Sequence, residues 1–377
     1  MDFEFTDEQE QLRDAVRRWV DKGFSFERRH ALAKAGGKTR EVLGELNDLG
    51  LAGLAVPEAH GGMGFGAVEA MVVMEELGRG LVNAPYAQAA LIAPTLLSVA
   101  SAEVQAEWLP KIAGGDALVM LAQQERNSRY RLQQVATKAV EKAGKWSLSG
   151  TKTLVPAGDE ADAFIVSARV SGGESDAAGI ALFLVQGGAA GVKVSGYPTQ
   201  DGARAADLVL ADAVATLVTR DGLAALEHAV DVGIAALCAE GVGLMDKMVA
   251  ITVDYMHQRK QFGVAIASFQ ALRHRIADVK MQLELARSMS YFASAKLGEA
   301  PAQRRRALSQ AKVQLGNSLR FVGQQCTQLH GGIGVTDEYS GSHYFKRLTV
   351  IEMTFGDTMH HLGEVSARMQ DSAGVFA

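Results

Sequence analysis

From Gly222 onward the chain reads as a succession of long helices rich in Ala, Leu, Met and Gln, broken near Gly263, across Gly298-Glu299-Ala300-Pro301 and at Gly331-Gly332. Proline and paired glycine oppose helix, so these breaks bound the segments. Four helices of this kind predict a bundle in which each buries an apolar stripe against its neighbours. The preceding stretch has a different texture. From about residue 117 it consists of short β-rich runs, Phe164 to Val170, Ile180 to Val185 and Leu208 to Leu210, separated by Gly, Ser and Asp. Toward the amino end helices return. The first starts at Thr6, where Gln9 completes a capping-box pattern ahead of an apolar face of Leu12, Val16, Trp19 and Val20. Pro57-Glu58-Ala59-His60-Gly61-Gly62-Met63-Gly64 interrupts as a loop, and Glu75-Glu76-Leu77-Gly78-Arg79 is expected to end a helix at its glycine. The chain is thus expected to be α+β, mostly α: a helical domain over 1–116, a barrel-like β domain over 117–220 and a four-helix bundle over 221–377.

A length of 377 residues with 48% hydrophobic content supplies apolar surface for large cores. The formal charge of -5 offers nucleic acid no general attraction. Cys238 and Cys326 each stand in an apolar helical stretch, without the spacing of a disulfide framework or a metal site. The start, Met1-Asp2-Phe3-Glu4-Phe5, lacks a basic segment followed by an apolar one, and no apolar run reaches membrane-spanning length. The expectation is a soluble, cytoplasmic protein with neither nucleic acid nor membrane as partner.

Two segments carry chemistry. Arg259-Lys260-Gln261-Phe262-Gly263, with Phe269-Gln270 close behind, places a guanidinium at a helix end beside side-chain and backbone donors, the set that a pyrophosphate needs. Taken alone, it also fits an arginine that satisfies its own helix carbonyls. Gln328-Leu329-His330-Gly331-Gly332-Ile333-Gly334 lacks the flanking strand and helix of a dinucleotide fingerprint. It fits either a glycine helix cap or a place where bare backbone lets a ligand come close. Arg304-Arg305-Arg306, near the start of a helix, fits a contact with phosphates but more simply a solvated face.

In order and spacing, four separated segments resemble the acyl-CoA dehydrogenase family: Leu51-Ala52-Gly53-Leu54 through Gly64 with residues 75–79; Leu148-Ser149-Gly150-Thr151-Lys152; Arg259 to Gly263 with Phe269-Gln270; and Gln328 to Gly334. The resemblance runs from Phe3 nearly to the carboxyl end. It implies FAD as cofactor, an acyl-CoA thioester as substrate and an electron-transfer flavoprotein as electron acceptor. It also implies that Arg259, Gln261 and Phe262 hold the FAD pyrophosphate and that Gln270 holds the adenosine half across a subunit interface. Gln328, Gly331 and Gly332 are then expected to approach the FAD of a neighbouring subunit. Gln124 stands as a further flavin contact, and with a one-residue gap Thr358 aligns with the threonine that accompanies the family's catalytic glutamate.

The chain departs from the family in two places. Leu154 and Pro156 stand where Trp and Thr or Ser usually pack the flavin ring and bond its edge, and Gln123-Gln124-Glu125-Arg126 replaces the usual Thr-Glu-Pro. The glutamate position falls on Phe355 without a gap, or on Gly356 with a one-residue gap. The other family location for a base, on the first bundle helix, falls on Gly233 and Ile234. Asp357 is therefore the candidate base, its alternative role being to cap the helix that begins near Thr358; Glu352 precedes the slot and reads as a helix or interface residue. The Phe-Gly-Asp ending and altered middle segment look similar to the small subunits of pimeloyl-CoA dehydrogenase-type enzymes, which pair with a larger homologous chain. A homo-oligomer and a hetero-oligomer with such a chain both follow. Three functions stand at this point: α,β-dehydrogenation of an acyl-CoA, a structural partner that completes another chain's site, and a flavin monooxygenase on the same fold.

Overall fold

The structure, a computed structural model, describes residues 4–369; Met1, Asp2 and Phe3, part of the start read above, lie outside the described residues, as do residues 370–377. In chain order the helices are α1 (Asp7–Gly23), α2 (Phe26–Lys34), α3 (Arg40–Asp48), α4 (Ala67–Arg79), α5 (Ala93–Leu97), α6 (Ala102–Ala113), α7 (Gly222–Gln258), α8 (Gln270–Lys296), α9 (Pro301–His330), α10 (Ser340–Met353) and α11 (Thr358–Ala367). The strands are β1 (Val119–Ala122), β2 (Lys138–Lys142), β3 (Lys145–Pro156), β4 (Ala163–Arg169), β5 (Ile180–Gln186), β6 (Val192–Pro198), β7 (Arg204–Thr219), β8 (Lys260–Gln261) and β9 (Val264–Ala265). None of the described helices is long and apolar enough to cross a membrane.

Packing divides the chain into two compact units that are discontinuous in sequence. One holds the described residues up to Arg29, then Ala67–Val82 and those from Ile234 on; the other holds His30–Gly66 and Asn83–Gly233. Chain order and packing therefore partition the molecule differently, because α4 leaves its sequence neighbours to pack on α1 and α8.

In the sheet-bearing unit, β4 pairs with β2, β2 with β3, β3 with β7, β7 with β5, and β5 returns to β4, so the sheet closes on itself. Closure removes free edges, while β1 and β6 pair on the outside of this ring with β4 and β7. Leu148, Phe164, Val166, Phe183, Leu208 and Leu210 fill the interior. The run read as Leu208 to Leu210 is the middle of a strand sixteen residues long. Alanines such as Ala205, Ala206 and Ala213 hid its ends, since their weak strand preference is overridden by cross-strand pairing with β3.

In the helical unit the capping box at α1 is formed as expected, with Gln9 N donating to Thr6 Oγ1 at 3.3 Å and Thr6 N to Gln9 Oε1 at 3.0 Å. The carboxyl-terminal helices depart from the expected four. Three are long, and the fourth stretch is split into α10 and α11 at Phe355 and Gly356, whose φ values of 57° and 115° cannot continue a helix. The expected stop at Gly78 is also corrected, because α4 runs through it to Arg79. Gly78 serves close packing instead: a Cβ there would lie 2.1 Å from the Glu240 carbonyl oxygen of α7, and one at Gly243 would lie 1.8 Å from the Glu75 carbonyl oxygen.

Adding one methyl at Gly243 forces two backbones apart, so Gly243→Ala is expected to lower unfolding stability by about 1–3 kcal/mol, the usual range for overpacking. Gly44, inside α3, has open space around a Cβ. Gly44→Ala is therefore expected to stabilise by about 0.5–1 kcal/mol through helix propensity. Urea midpoints of both variants, moving in opposite directions, check the two assignments.

Candidate functional site

The helical unit brings the two candidate cofactor segments to one end. Met256 at the close of α7, Ile266 after the β8–β9 hairpin and Leu329 at the close of α9 form one buried apolar cluster, with Phe269, Leu272 and Ile276 packed on it. This cluster holds Arg259, Gln261, Phe262 and Gln270 at the same bundle end as Gln328, Gly331 and Gly332. His330 locks the corner: its ring lies 4.7 Å from that of Tyr255, its Nδ1 donates to the Cys326 carbonyl at 2.8 Å, and its Nε2 accepts from the Tyr339 hydroxyl at 2.8 Å. Burial pushes the His330 pKa down, which agrees with a neutral ring in that tautomer.

Arg259, Gln261, Gln270 and Gln328 are all exposed. The Arg259 guanidinium makes no hydrogen bond or ion pair among the described residues, so the helix-carbonyl alternative is not what the arginine does here. Phe262, at φ 55° on the hairpin tip, is 91% exposed. A bulky left-handed residue with an uncovered ring is costly on both counts. Gly331 has φ 64°, a conformation that favours glycine, and a Cβ on Gly332 would touch nothing within 4 Å. Packing inside the chain therefore gives no reason for the bare backbone at Gly332. A donor-rich, glycine-lined face with a free guanidinium suits a phosphate-bearing group, and the residues at this end fit FAD.

In the sheet-bearing unit, Gln124 lies just past β1, partly buried, its carbonyl accepting from Thr153 N at 2.8 Å. What fixes this segment is a buried ion pair that sequence reasoning used only as a landmark. Lys152, 0% exposed, donates to Glu125 Oε1 at 2.7 Å and Ser167 Oγ at 3.0 Å, and Glu125 also accepts from Ala136 N, Thr137 N and the Thr137 hydroxyl. Burial pushes Lys152 down to about 8 against the pull of Glu125. At Glu125 burial opposes ionisation, but Lys152 and the hydrogen bonds outweigh it and hold the carboxyl below its ordinary range. Beside this pair an open cleft of about 750 Å³ is lined by Gln124, Arg126, Thr153, Leu154, Tyr197 and Asp207. Leu154 is 50% exposed at φ 54°, and its N–H donates to the Tyr197 hydroxyl, which donates to Asp207 at 2.9 Å. Pro156 ends β3 opposite Ala205 and has no N–H to offer. Tyr197, unmarked in the sequence reading, is the aromatic side chain lining this cleft.

The segment expected to carry the base sits elsewhere in the helical unit, at the α10–α11 corner. Asp357 is the N-cap of α11, its Oδ1 accepting from His360 N at 2.8 Å. Thr358 is buried, and both its N–H and its hydroxyl donate to Glu352 Oε1, at 3.2 and 2.8 Å. Its hydroxyl, expected at the cofactor, thus donates to Glu352 inside the chain. Glu352 also receives Arg320 at 3.0 Å. Lys312 and His361 complete the corner: Lys312 Nζ donates to the carbonyls of Ile351 and Glu352 at 2.7 and 2.9 Å, and His361 Nε2 donates to that of Phe355 at 3.0 Å. The Arg304 of the basic run is buried rather than solvated. Ile234 is buried too, and neither Gly233 nor Ile234 carries a carboxylate.

Burial, reinforced by Lys312 and His360, pushes His361 from 6.5 down to about 3. Between these values the unfolded chain binds a proton that the folded chain refuses, so this contribution to stability is full above about 6.5 and is lost as pH falls through the window. Unfolding stability is expected to fall by up to ~1.4 kcal/mol per pH unit from this group. Urea melts between roughly pH 7 and 5 on wild type and His361→Gln, which does not titrate there, should show the shallower slope in the variant.

The sequence matches the acyl-CoA dehydrogenase N-terminal domain over residues 6–116, the middle domain over 121–213 and the C-terminal domain over 220–370. It is 27% identical to acyl-CoA dehydrogenase FadE27 of Mycobacterium tuberculosis, across 99% of this chain and 100% of that one. It is 26% identical to acryloyl-CoA reductase (NADH) of Anaerotignum propionicum, across 96% and 94%. The fold superposes on a chain of the ChsE4–ChsE5 complex of Mycobacterium tuberculosis with a TM-score of 0.88 at 26% identity, covering 99% of this chain and 100% of that one. Three domain matches in the family's order, on a closed sheet and helical bundle of this architecture, place the chain in the acyl-CoA dehydrogenase family.

Proposed function

We propose that this chain is a subunit of an FAD-dependent enzyme that removes hydrogen from the α and β carbons of an acyl-CoA thioester. The observation that carries the reading is the bundle end where Arg259, Gln261, Gln270, Gln328 and the Gly331-Gly332 backbone are held together and uncovered. FAD, when bound, accepts the β hydrogen as hydride. The chain's own residues hold and orient: Arg259 offers a cationic fork to the pyrophosphate, Gln261 and Gln270 offer amides, and Gln124 offers an amide in the sheet-bearing unit. The exposed Phe262 ring and the uncovered glycine backbone support a cofactor bound where two subunits meet. Arg259→Ala is expected to weaken FAD retention by about 1.5–3 kcal/mol, roughly tenfold to a hundredfold in Kd. Equilibrium dialysis of FAD checks this; unchanged affinity removes Arg259 from the site.

For the proton step we assign Asp357 as the candidate base, a carboxylate taking the α proton as the β hydrogen leaves. Its engagement as the α11 cap and the lack of a glutamate at Phe355 or Gly356 favour a second reading, in which a homologous larger chain supplies the carboxylate. A chain of the ChsE4–ChsE5 complex shares this fold, and a hetero-oligomer accommodates the second reading. An electron-transfer flavoprotein is the proposed acceptor of the electrons. Asp357→Asn against wild type, each with any co-purifying partner, is scored by anaerobic flavin bleaching with acyl-CoAs from butyryl to palmitoyl. Loss of bleaching with FAD content and Tm preserved is expected; equal bleaching removes Asp357 as the base, and bleaching by neither without the partner places the carboxylate on the other chain.

A further inference from the structure

The corner between α10 and α11 is held against its own backbone preference. Phe355 has φ 57°, a left-handed conformation that is costly for a bulky residue, and Gly356 follows at φ 115°. A Cβ on Gly356 would lie 2.5 Å from His361 Nε2 and 2.6 Å from His360 Cδ2, so the imidazoles press directly under the turn. Three carbonyls around it are tied to side chains: those of Ile351 and Glu352 to Lys312, and that of Phe355 to His361. His361 is oriented in turn by Ser309, whose hydroxyl donates to Nδ1 at 3.2 Å. Lys312 is 0% exposed. A helix end can be closed with water or a glycine, so burying an ammonium for the purpose indicates that the position of this end matters.

We propose that His361 and Lys312 are positioning residues for the reaction, fixing the strained turn at residues 355–357 from below and thereby setting where the Asp357 carboxylate stands. Ser309 acts through His361 by selecting the tautomer that donates to Phe355. The proposal rests on the assignment of Asp357 as base. A merely structural corner predicts that changes here alter stability alone. A positioning corner predicts a change in the rate of proton removal at saturating substrate, because a displacement of about 1 Å at a reacting group can slow a step roughly 100-fold.

The test uses the FAD-loaded protein with whatever partner co-purifies, bleached anaerobically by the most active acyl-CoA of the butyryl-to-palmitoyl panel. His361→Leu removes the donor and is expected to slow bleaching roughly 100-fold at saturation, with the apparent Kd for the acyl-CoA and the FAD content unchanged. His361→Gln, whose amide can reach Phe355, should restore most of the rate. Lys312→Met should act in the same direction, which covers the case in which His361→Leu fails to fold. In the Asp357→Asn background neither change should slow bleaching further, and amide exchange at residues 355–358 should accelerate in both variants. Wild-type bleaching rates in His361→Leu and Lys312→Met, or losses that add in full to that of Asp357→Asn, overturn the positioning role. Wild-type bleaching in Asp357→Asn overturns the base assignment instead, and a wild-type holoprotein that no acyl-CoA bleaches overturns both.

Discussion

Buried polar side chains on α9 are the constraint on which the helical unit depends. Lys312, Ser309 and His330 are buried on this one helix, and each must find a partner or pay a desolvation penalty. Their partners are the ends and corners of neighbouring segments: the last carbonyls of α10, the first turns of α11 through His361, and Tyr339 ahead of α10. Apolar packing alone would let α10 and α11 slide along α9, since one methylene surface resembles the next. Directional hydrogen bonds to fixed carbonyls remove that freedom.

A second buried polar arrangement does the same work in the sheet-bearing unit. Lys152 and Glu125 join β3 to the segment after β1 and to Thr137 at the start of β2, which holds Gln124 beside the open cleft. Removing one partner of such a pair leaves an uncompensated buried charge. In this unit the family's usual ring-packing residues are replaced by Leu154 and Pro156, while Tyr197 and Asp207 line the cleft. The buried pair thus holds Gln124, the proposed flavin contact, on a fixed backbone beside side chains that differ from the resembled pattern. The candidate base segment shows the same division, with an elaborately held corner and no glutamate at residues 355 or 356.

Much of the fold was legible because its signals are local. The Thr6–Gln9 capping box, the breaks near Gly263, Pro301 and Gly331, and the runs that became β4 and β5 each depend on residues within a few positions of one another. The misreadings share a cause as well. Gly78 looked like a stop signal and is instead a contact with α7, distant in sequence; β7 looked short because its alanines are strand residues only by virtue of β3. Arg304 looked solvated because a charge run gives no hint of what packs over a helix.

For the site, the residue pattern by itself singled out the candidate segments, Arg259 to Gln270 and Gln328 to Gly332, and the absence of a glutamate at residues 355 and 356. These are matters of residue identity and spacing, which the chain states directly. Only the tertiary structure decided that the two segments share one bundle end through Met256, Ile266 and Leu329, that Thr358 is spent on Glu352, and that Lys312 and His361 hold the turn before α11. Those contacts join residues up to about seventy positions apart, and whether a buried polar group finds a partner depends on the backbone that packing brings to it, which no local pattern encodes.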